Sequence, residues 1–246
     1  MDRVIYTAMT GANAAAYRQA VLSNNLANVS TNGFRAEMST FRAVPVRGDG
    51  LPTRVMSVEA TASFLDTPGT PQRSDRGLDA MATGKAWFAV QGLDGTEAYT
   101  RNGSFDVAPD GTLRTHNGLT ALSDGGAPIT APVNAKVSLG FDGTLTAKTG
   151  NQPPTTIGRL KMVTPTAEDP LKRSEDSLFR STSGEPLTSD PTARLQTGVL
   201  EGSNVNAIET MVGMIQTARQ FETQTKLMQT AEANDRAAAK LLSTQG

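Results

Sequence analysis

The two ends of this chain can form long helices and its middle cannot, and that contrast limits the folds open to it. Residues 1–30 and 206–243 contain no proline, whereas the stretch between them is broken throughout by glycine, proline and threonine. In the first segment, apolar or small residues fall at Ile5, Met9, Ala12, Ala16, Leu22, Leu26 and Val29, spacings of three and four that predict one helical face. Ser30-Thr31-Asn32-Gly33 should end it, with Gly33 free to take a positive φ. In the last segment Asn206 followed by Glu209 resembles a capping box. Val205, Ile208, Val212 and Ile215 form a stripe broadened by Met211, Met214 and Ala218, resumed at Leu227, Met228 and Ala231, and closed by Leu241 and Leu242. A continuous helix over Asn206–Ser243 is about 57 Å long, too long to sit inside a small globule. A helix with an apolar stripe needs a partner, so the two ends should pair with each other or with the ends of other copies. That favours assembly over catalysis.

The middle reads as strands and turns. Trp87–Val90 leads to Asp94-Gly95, Ala98–Thr100 to Asn102-Gly103, Ser104–Val107 to Asp110-Gly111, Thr112–Thr115 to Asn117-Gly118, and Leu139–Phe141 to Asp142-Gly143. Asn-Gly and Asp-Gly between short runs are hairpin signals, and their spacing of about eight residues predicts a meander or small barrel. Residues 35–75, with Pro45, Pro52, Pro68 and Pro71, read as an extended arm or irregular connector. The fold class expected is mixed α and β. The N-terminal helix of residues 1–34 and the C-terminal helix of 199–246 form a coiled-coil-like domain, and 76–198 form a central all-β domain.

Chemistry is scarce. The formal net charge is −1, which offers no basic field to nucleic acid. Cysteine is absent, which removes disulfides, thiolate metal sites and cysteine nucleophiles. The single histidine, His116, has no Gly-x-Ser-x-Gly beside it and sits in a turn. Gly84-Lys85 lacks the earlier glycine of a phosphate loop, since position 79 is Asp79 and position 86 is Ala86. No run approaches the 18 apolar residues of a membrane span, and the opening Met1–Tyr6 lacks the apolar core of a secretory signal. No catalytic residue, cofactor or metal ligand is expected.

One cluster stands out. Ser23-Asn24-Asn25-Leu26-Ala27-Asn28 places three asparagines within five residues near a helix end. Each is unfavourable in a helix by up to about 0.7 kcal/mol relative to alanine. Either the amides serve as hydrogen-bond partners, or the last turn frays and asparagine is cheap there.

The same cluster carries a resemblance. Leu22-Ser23-Asn24-Asn25-Leu26-Ala27-Asn28-Val29-Ser30-Thr31-Asn32-Gly33-Phe34-Arg35 is similar to the N-terminal signature of flagellar rod and hook proteins, with Asn32 where proline is common. Leu200-Glu201-Gly202-Ser203-Asn204-Val205-Asn206-Ala207-Ile208-Glu209-Thr210-Met211 resembles that family's C-terminal signature, extended by Arg219–Glu222 and Met228–Ala231. Tyr99–Phe105 and Asp110–Leu113 resemble its β-domain. Within the family, Met1–Met9 and Arg42–Val46 are similar to proximal rather than distal rod subunits.

The resemblance implies a structural subunit of the flagellar basal-body rod. Its terminal helices would pack as a coiled coil in the inner wall of an axial tube and fold on assembly, with the β-domain outside them. Its partners would be copies of itself, the proximal and distal rod subunits and the flagellar export apparatus, with no nucleic acid and no membrane insertion. It would reach the periplasm-spanning rod without a cleaved signal. The residues expected at the assembly interface are Leu22, Asn24, Asn25, Leu26, Asn28, Val205, Ile208, Met211 and Ile215. A distal rod or hook-type subunit is the alternative within the family, and a secreted β-rich adhesin or binding module is the alternative from another class.

Overall fold

The computed structural model describes residues 3–45, 55–174 and 176–243. The middle of the expected connector, with Val46 and Pro52, lies outside the described residues, as do Met1, Asp2 and the side chains of Leu241 and Leu242. The chain is mixed α and β. Helix α1 spans Arg3–Ala27 and helix α2 spans Ala207–Ser243, with strands between them. Two compact units result. The first comprises Met1–Val29, Ala36–Leu65 and Val205–Gly246, and the second Ser30–Arg35 and Asp66–Asn204.

The first unit is the helical one. Side-chain oxygen Oδ1 of Asn206 accepts from the N–H groups of Ile208 (3.1 Å) and Glu209 (3.3 Å), so the expected cap is formed. Gly11 faces Gln224 and Gly213 faces Leu22, which makes α1 and α2 antiparallel. The described residues of the segment 35–75 include regular strands. Strands β1 (Glu37–Pro45) and β2 (Val55–Phe64) pair antiparallel with a bulge after Thr40, while the next strand, β3 (Pro71–Arg73), belongs to the second unit. Pro45 and Pro71 stand at strand ends, where a missing N–H breaks no ladder. The ribbon packs on α1: the Tyr17 and Phe41 rings meet edge to face at 6.3 Å, and the Arg18 guanidinium lies 5.7 Å from the Phe41 centroid.

The second unit is all β. Its strands are β4 (Ala80–Ala82), β5 (Trp87–Gln91), β6 (Glu97–Thr100), β7 (Phe105–Val107), β8 (Leu113–Thr115), β9 (Thr120–Ala121), β10 (Lys136–Leu139), β11 (Thr144–Lys148), β12 (Thr155–Arg159), β13 (Met162–Val163), β14 (Leu171–Arg173), β15 (Phe179–Ser181), β16 (Leu195–Thr197) and β17 (Val199–Glu201). The main sheet runs β14-β15-β6-β5-β9-β8-β7, with β13 also on β5, beside a three-stranded β10-β11-β12 sheet. Strand β4 pairs with β16, and β3 with β17. Phe88 and Phe105, edge to face at 5.3 Å, pack in the core with Leu113, Leu145, Leu160 and Met162.

One turn design recurs. In Gly92–Thr96, Ala108–Thr112 and Gly140–Thr144 the fourth residue is glycine with φ of 80°, 82° and 87°. Its N–H donates to the first carbonyl, and the first N–H donates to the fifth carbonyl. This is the three-residue hairpin loop, a type I turn closed by a left-handed glycine. The third residue is aspartate each time. Asp94, Asp110 and Asp142 accept from both the N–H and the hydroxyl of the threonine two residues on. Thr115–Leu119 and Ser123–Ala127 repeat the backbone pattern.

Those bonds favour the carboxylate form. The bonds from Thr96, Thr112 and Thr144 hold Asp94, Asp110 and Asp142 below the usual carboxyl range. Asp190, bonded by Thr192 and Thr164, is lowered to about 2. A carboxyl depressed in the fold stabilises it fully above its unfolded value of about 3.9, and that stabilisation fades as pH falls towards the folded value. The β-unit should therefore hold its melting temperature from pH 7 to about 4.5 and lose it between about pH 4 and 2. Circular-dichroism melts across that range check this, and Asp142→Ala should flatten the acid slope.

Candidate assembly surface and the junction of the three motifs

The face that α2 turns to α1 is small and polar. Thr210 and Thr217 are 8% and 3% exposed, and Leu22 meets Gly213. Each threonine returns its hydroxyl to its own helix, Thr210 to the Asn206 carbonyl at 2.7 Å and Thr217 to the Gly213 carbonyl at 2.8 Å. Their methyl groups can then be buried without an unmade bond. Opposite stand Ala8, Ala12 and Ala15, all buried, so two small-residue faces meet.

The apolar stripe read from the sequence points elsewhere. Ile208 is 75% exposed, Ile215 56%, Met211 50% and Val212 48%. In the single chain these side chains are not at the α1–α2 contact, because small residues have taken that face. Leu22, Leu26 and Val205 are half-buried. Met9 and Ala16, expected on the buried face of α1, are exposed.

The asparagines are engaged inside the chain. Asn25 is buried, and its amide grips the backbone of one residue: Nδ2 donates to the Glu37 carbonyl at 2.9 Å, and Oδ1 accepts the Glu37 N–H at 2.8 Å. The side chain thus acts as a strand partner that clips the last turn of α1 to the start of β1. Asn24 Nδ2 donates to the Glu37 carboxylate at 3.0 Å. Asn28 Nδ2 donates to the carbonyl and side-chain oxygens of Asn24 at 2.9 and 3.0 Å. The amides of the cluster therefore serve as hydrogen-bond partners rather than marking a frayed turn, and their partners lie in this chain.

A second constellation is not apparent from the sequence. Arg35, Arg101 and Glu201 are 0–1% exposed and meet inside the β-unit. Arg35 Nη1 lies 2.5 Å from Glu201 Oε1, which also accepts the Gly69 N–H at 2.9 Å. Arg101 Nε stands 3.4 Å from Glu201 Oε2, and its other nitrogens donate to the carbonyls of Ala82, Gly84 and Ala86. Both guanidinium groups lie against Trp87, 5.8 and 5.4 Å from its centroid, and Trp87 packs on Phe179 at 4.6 Å. Burial pulls Arg101 below the ordinary arginine range, and the charge of Glu201 opposes that. Backbone contacts reinforce the junction. The Gly33 N–H donates to the Glu201 carbonyl at 2.7 Å and the Asn204 N–H to the Phe34 carbonyl at 3.3 Å. Gly33 has φ 72°, and a Cβ there would fall 2.4 Å from the Asn102 nitrogen. Phe34 is buried beneath Arg173, whose guanidinium sits 4.5 Å from the ring centroid. One charged residue from each of the three sequence motifs thus enters one buried cluster. A charge placed within each motif is the one sequence signal of it.

Around this the chemistry stays structural. His116 is exposed, 3.8 Å from Asp106. Among the described residues no helix is long and apolar enough to cross a membrane, and no group of three or more His, Asp or Glu side chains could hold a metal ion.

A β-unit closed on itself by one buried charge cluster, and a helical unit with an apolar face on α2, define a structural building block. Comparison with known proteins places it. Residues 5–35 match the family described as flagella basal body rod protein, 81–147 the flagellar hook protein FlgE/F/G D1 domain, and 196–241 the flagellar basal body rod FlgEFG protein C-terminal region. The chain is 43% identical to flagellar basal-body rod protein FlgF of Escherichia coli K12 and 42% identical to FlgF of Salmonella typhimurium, over 99% of both chains in each case. It is 30% identical to rod protein FlgG of Buchnera aphidicola from Schizaphis graminum, over 93% of this chain and 95% of that one. The chain belongs to the flagellar basal-body rod protein family. It is a structural subunit of that rod.

Three outcomes follow from the geometry. Glu201→Ala leaves two buried guanidinium groups without their carboxylate and should destabilise the β-unit by about 3–5 kcal/mol in urea titrations. For the same reason a fragment of residues 30–204 should melt cooperatively, while one of 36–199, lacking Arg35 and Glu201, should not. Asn25→Ala should cost about 1–3 kcal/mol within the helical unit and speed amide exchange at Glu37, while leaving the β-unit's melting unchanged.

Proposed function

We propose that this rod subunit joins its neighbours chiefly through the outward face of α2. The observation that carries this is the exposed row Ile208, Met211, Val212 and Ile215. Covering one such side chain is worth about 1.5–3 kcal/mol, so four together favour a contact with another helix. In this reading α1 and α2 of successive copies complete a coiled-coil wall around a lumen, with Leu22, Leu26 and Val205 at its edges, and the β-unit lies outside. The wall transmits torque and surrounds an export channel. The partners are copies of this chain, other proximal and distal rod subunits, and the flagellar export apparatus that delivers the subunit without a cleaved signal. The periplasm-spanning part of the basal body is its site. The proximal position is supported by the near full-length similarity to the FlgF relatives. The role is mechanical and needs no cofactor.

The double variant Ile208→Asn, Ile215→Asn tests the reading. Motility and recovery of the chain in isolated basal bodies should fall together, with the β-unit's melting temperature unchanged. Normal motility would remove the face from the interface.

A further inference from the structure

Beside its exposed apolar row, α2 borders a groove of about 460 Å³ that it shares with α1. Leu22 and Gly213, half-buried, and Thr217, buried, form the floor, and Arg18, Gln216 and Gln220 stand exposed around it. The Thr217 hydroxyl is turned back to the Gly213 carbonyl, so the floor is apolar. The volume is about three times the roughly 150 Å³ that takes up one benzene ring, which is room for more than one large side chain.

Gly213 keeps this groove deep, and its own chain does not require a glycine there. It lies inside α2 and is not in the left-handed region. Glycine is the poorest residue for a helix interior after proline. A Cβ at Gly213 would stand 3.4 and 3.5 Å from the two methyl carbons of Leu22, which is ordinary van der Waals contact. Alanine would thus fit the α1–α2 contact and favour the helix. The glycine gains nothing within one chain, and it leaves space for a side chain that enters from outside.

The row and the groove lie at one level of α2, over residues 208–215 and 209–220, and Val212 belongs to both. At 3.6 residues per turn the groove is about 100° round the helix from the row. Two copies can therefore join in two ways. A two-fold contact sets row on row and leaves both grooves empty. A contact of row in groove fills the space that Gly213 leaves, with Ile208 and Ile215 as knobs in a hole.

We infer that the Ile208–Ile215 row of one copy seats in the Gly213 groove of the next. The inference rests on the rod reading and names a contact within it. Each copy gives its row on one side and its groove on the other. The contact is therefore heterologous and runs on from copy to copy, into a ring or a helix about an axis.

The chain has no cysteine, so introduced thiols report the pairing. The hosts are cells whose own copy of the gene is deleted, carrying full-length tagged chains. Ile215→Cys puts a thiol on the row. It is expressed in turn with Arg18→Cys, Gln216→Cys and Gln220→Cys, each under a second tag, and isolated basal bodies are oxidised with copper–phenanthroline. Disulfide-linked dimers with both tags should form in at least one pairing, and Ile215→Cys alone should form none. Dimers of Ile215→Cys alone would establish the row-on-row contact and overturn the proposal. So would the absence of mixed dimers from all three pairings. Gly213→Leu fills the floor with a better helix former. It should lower recovery in basal bodies by at least about tenfold, the equivalent of one large side chain left unburied, with no loss of helix in circular dichroism of the purified chain. Wild-type recovery of Gly213→Leu would also overturn the proposal. The cysteine pairs keep Gly213, and they decide the matter if Gly213→Leu loses its helix. Absence of the unmodified tagged chain from basal bodies would instead overturn the rod reading itself.

Discussion

Glu201 is the group on which the β-unit depends. Its carboxylate is fully buried between Arg35 and Arg101, with the Gly69 N–H as a further donor. A buried ion pair adds little net stability over a well-packed apolar cluster, but losing one partner strands a charge. The clamp therefore acts mainly as a specificity device. It admits one arrangement of the segment 30–35 and of strand β17 (Val199–Glu201) within the β-unit. Gly33, Phe34 and Asn204 add backbone bonds and packing that only this arrangement satisfies.

The helical unit follows a different logic. Its internal contact is made by alanine, glycine and threonine, residues that permit close approach and bury little apolar surface each. The large apolar side chains of α2 are held back from that contact and shown outward. A subunit that must both exist as a single chain and join others gains from this division. Its own pairing is modest, and in the proposed rod contact the stronger burial would come with assembly. The Asn25 clip serves the first need by tying α1 to the ribbon within one chain.

The hairpin loops show local chemistry acting alone. Aspartate at the third position, glycine at the fourth and threonine at the fifth recur three times with the same bonds. Each carboxylate caps its own turn, and the strands on either side need no distant residue to find their register. Turns of this kind are legible in the amino-acid sequence for that reason. The ribbon of strands 37–45 and 55–64 is not, because prolines at 45, 52, 68 and 71 suggest an irregular path, whereas Pro45 and Pro71 in fact stand at strand ends.

What the sequence determined by itself was what local periodicity and turn chemistry can carry: two terminal helices, the Asn206 cap, the glycine turns and the β-rich middle. It also carried the family, because three motifs lie along the whole chain. Which face of α2 is buried was decided only by the tertiary structure. A stripe of three-and-four spacing says that a face is apolar and not what covers it, and in the single chain small residues won the contact with α1. The partners of Asn25 and the meeting of Arg35, Arg101 and Glu201 were likewise tertiary. These residues are far apart in the chain, and a charge in a motif gives no sign of burial until the fold brings its counter-charge to it.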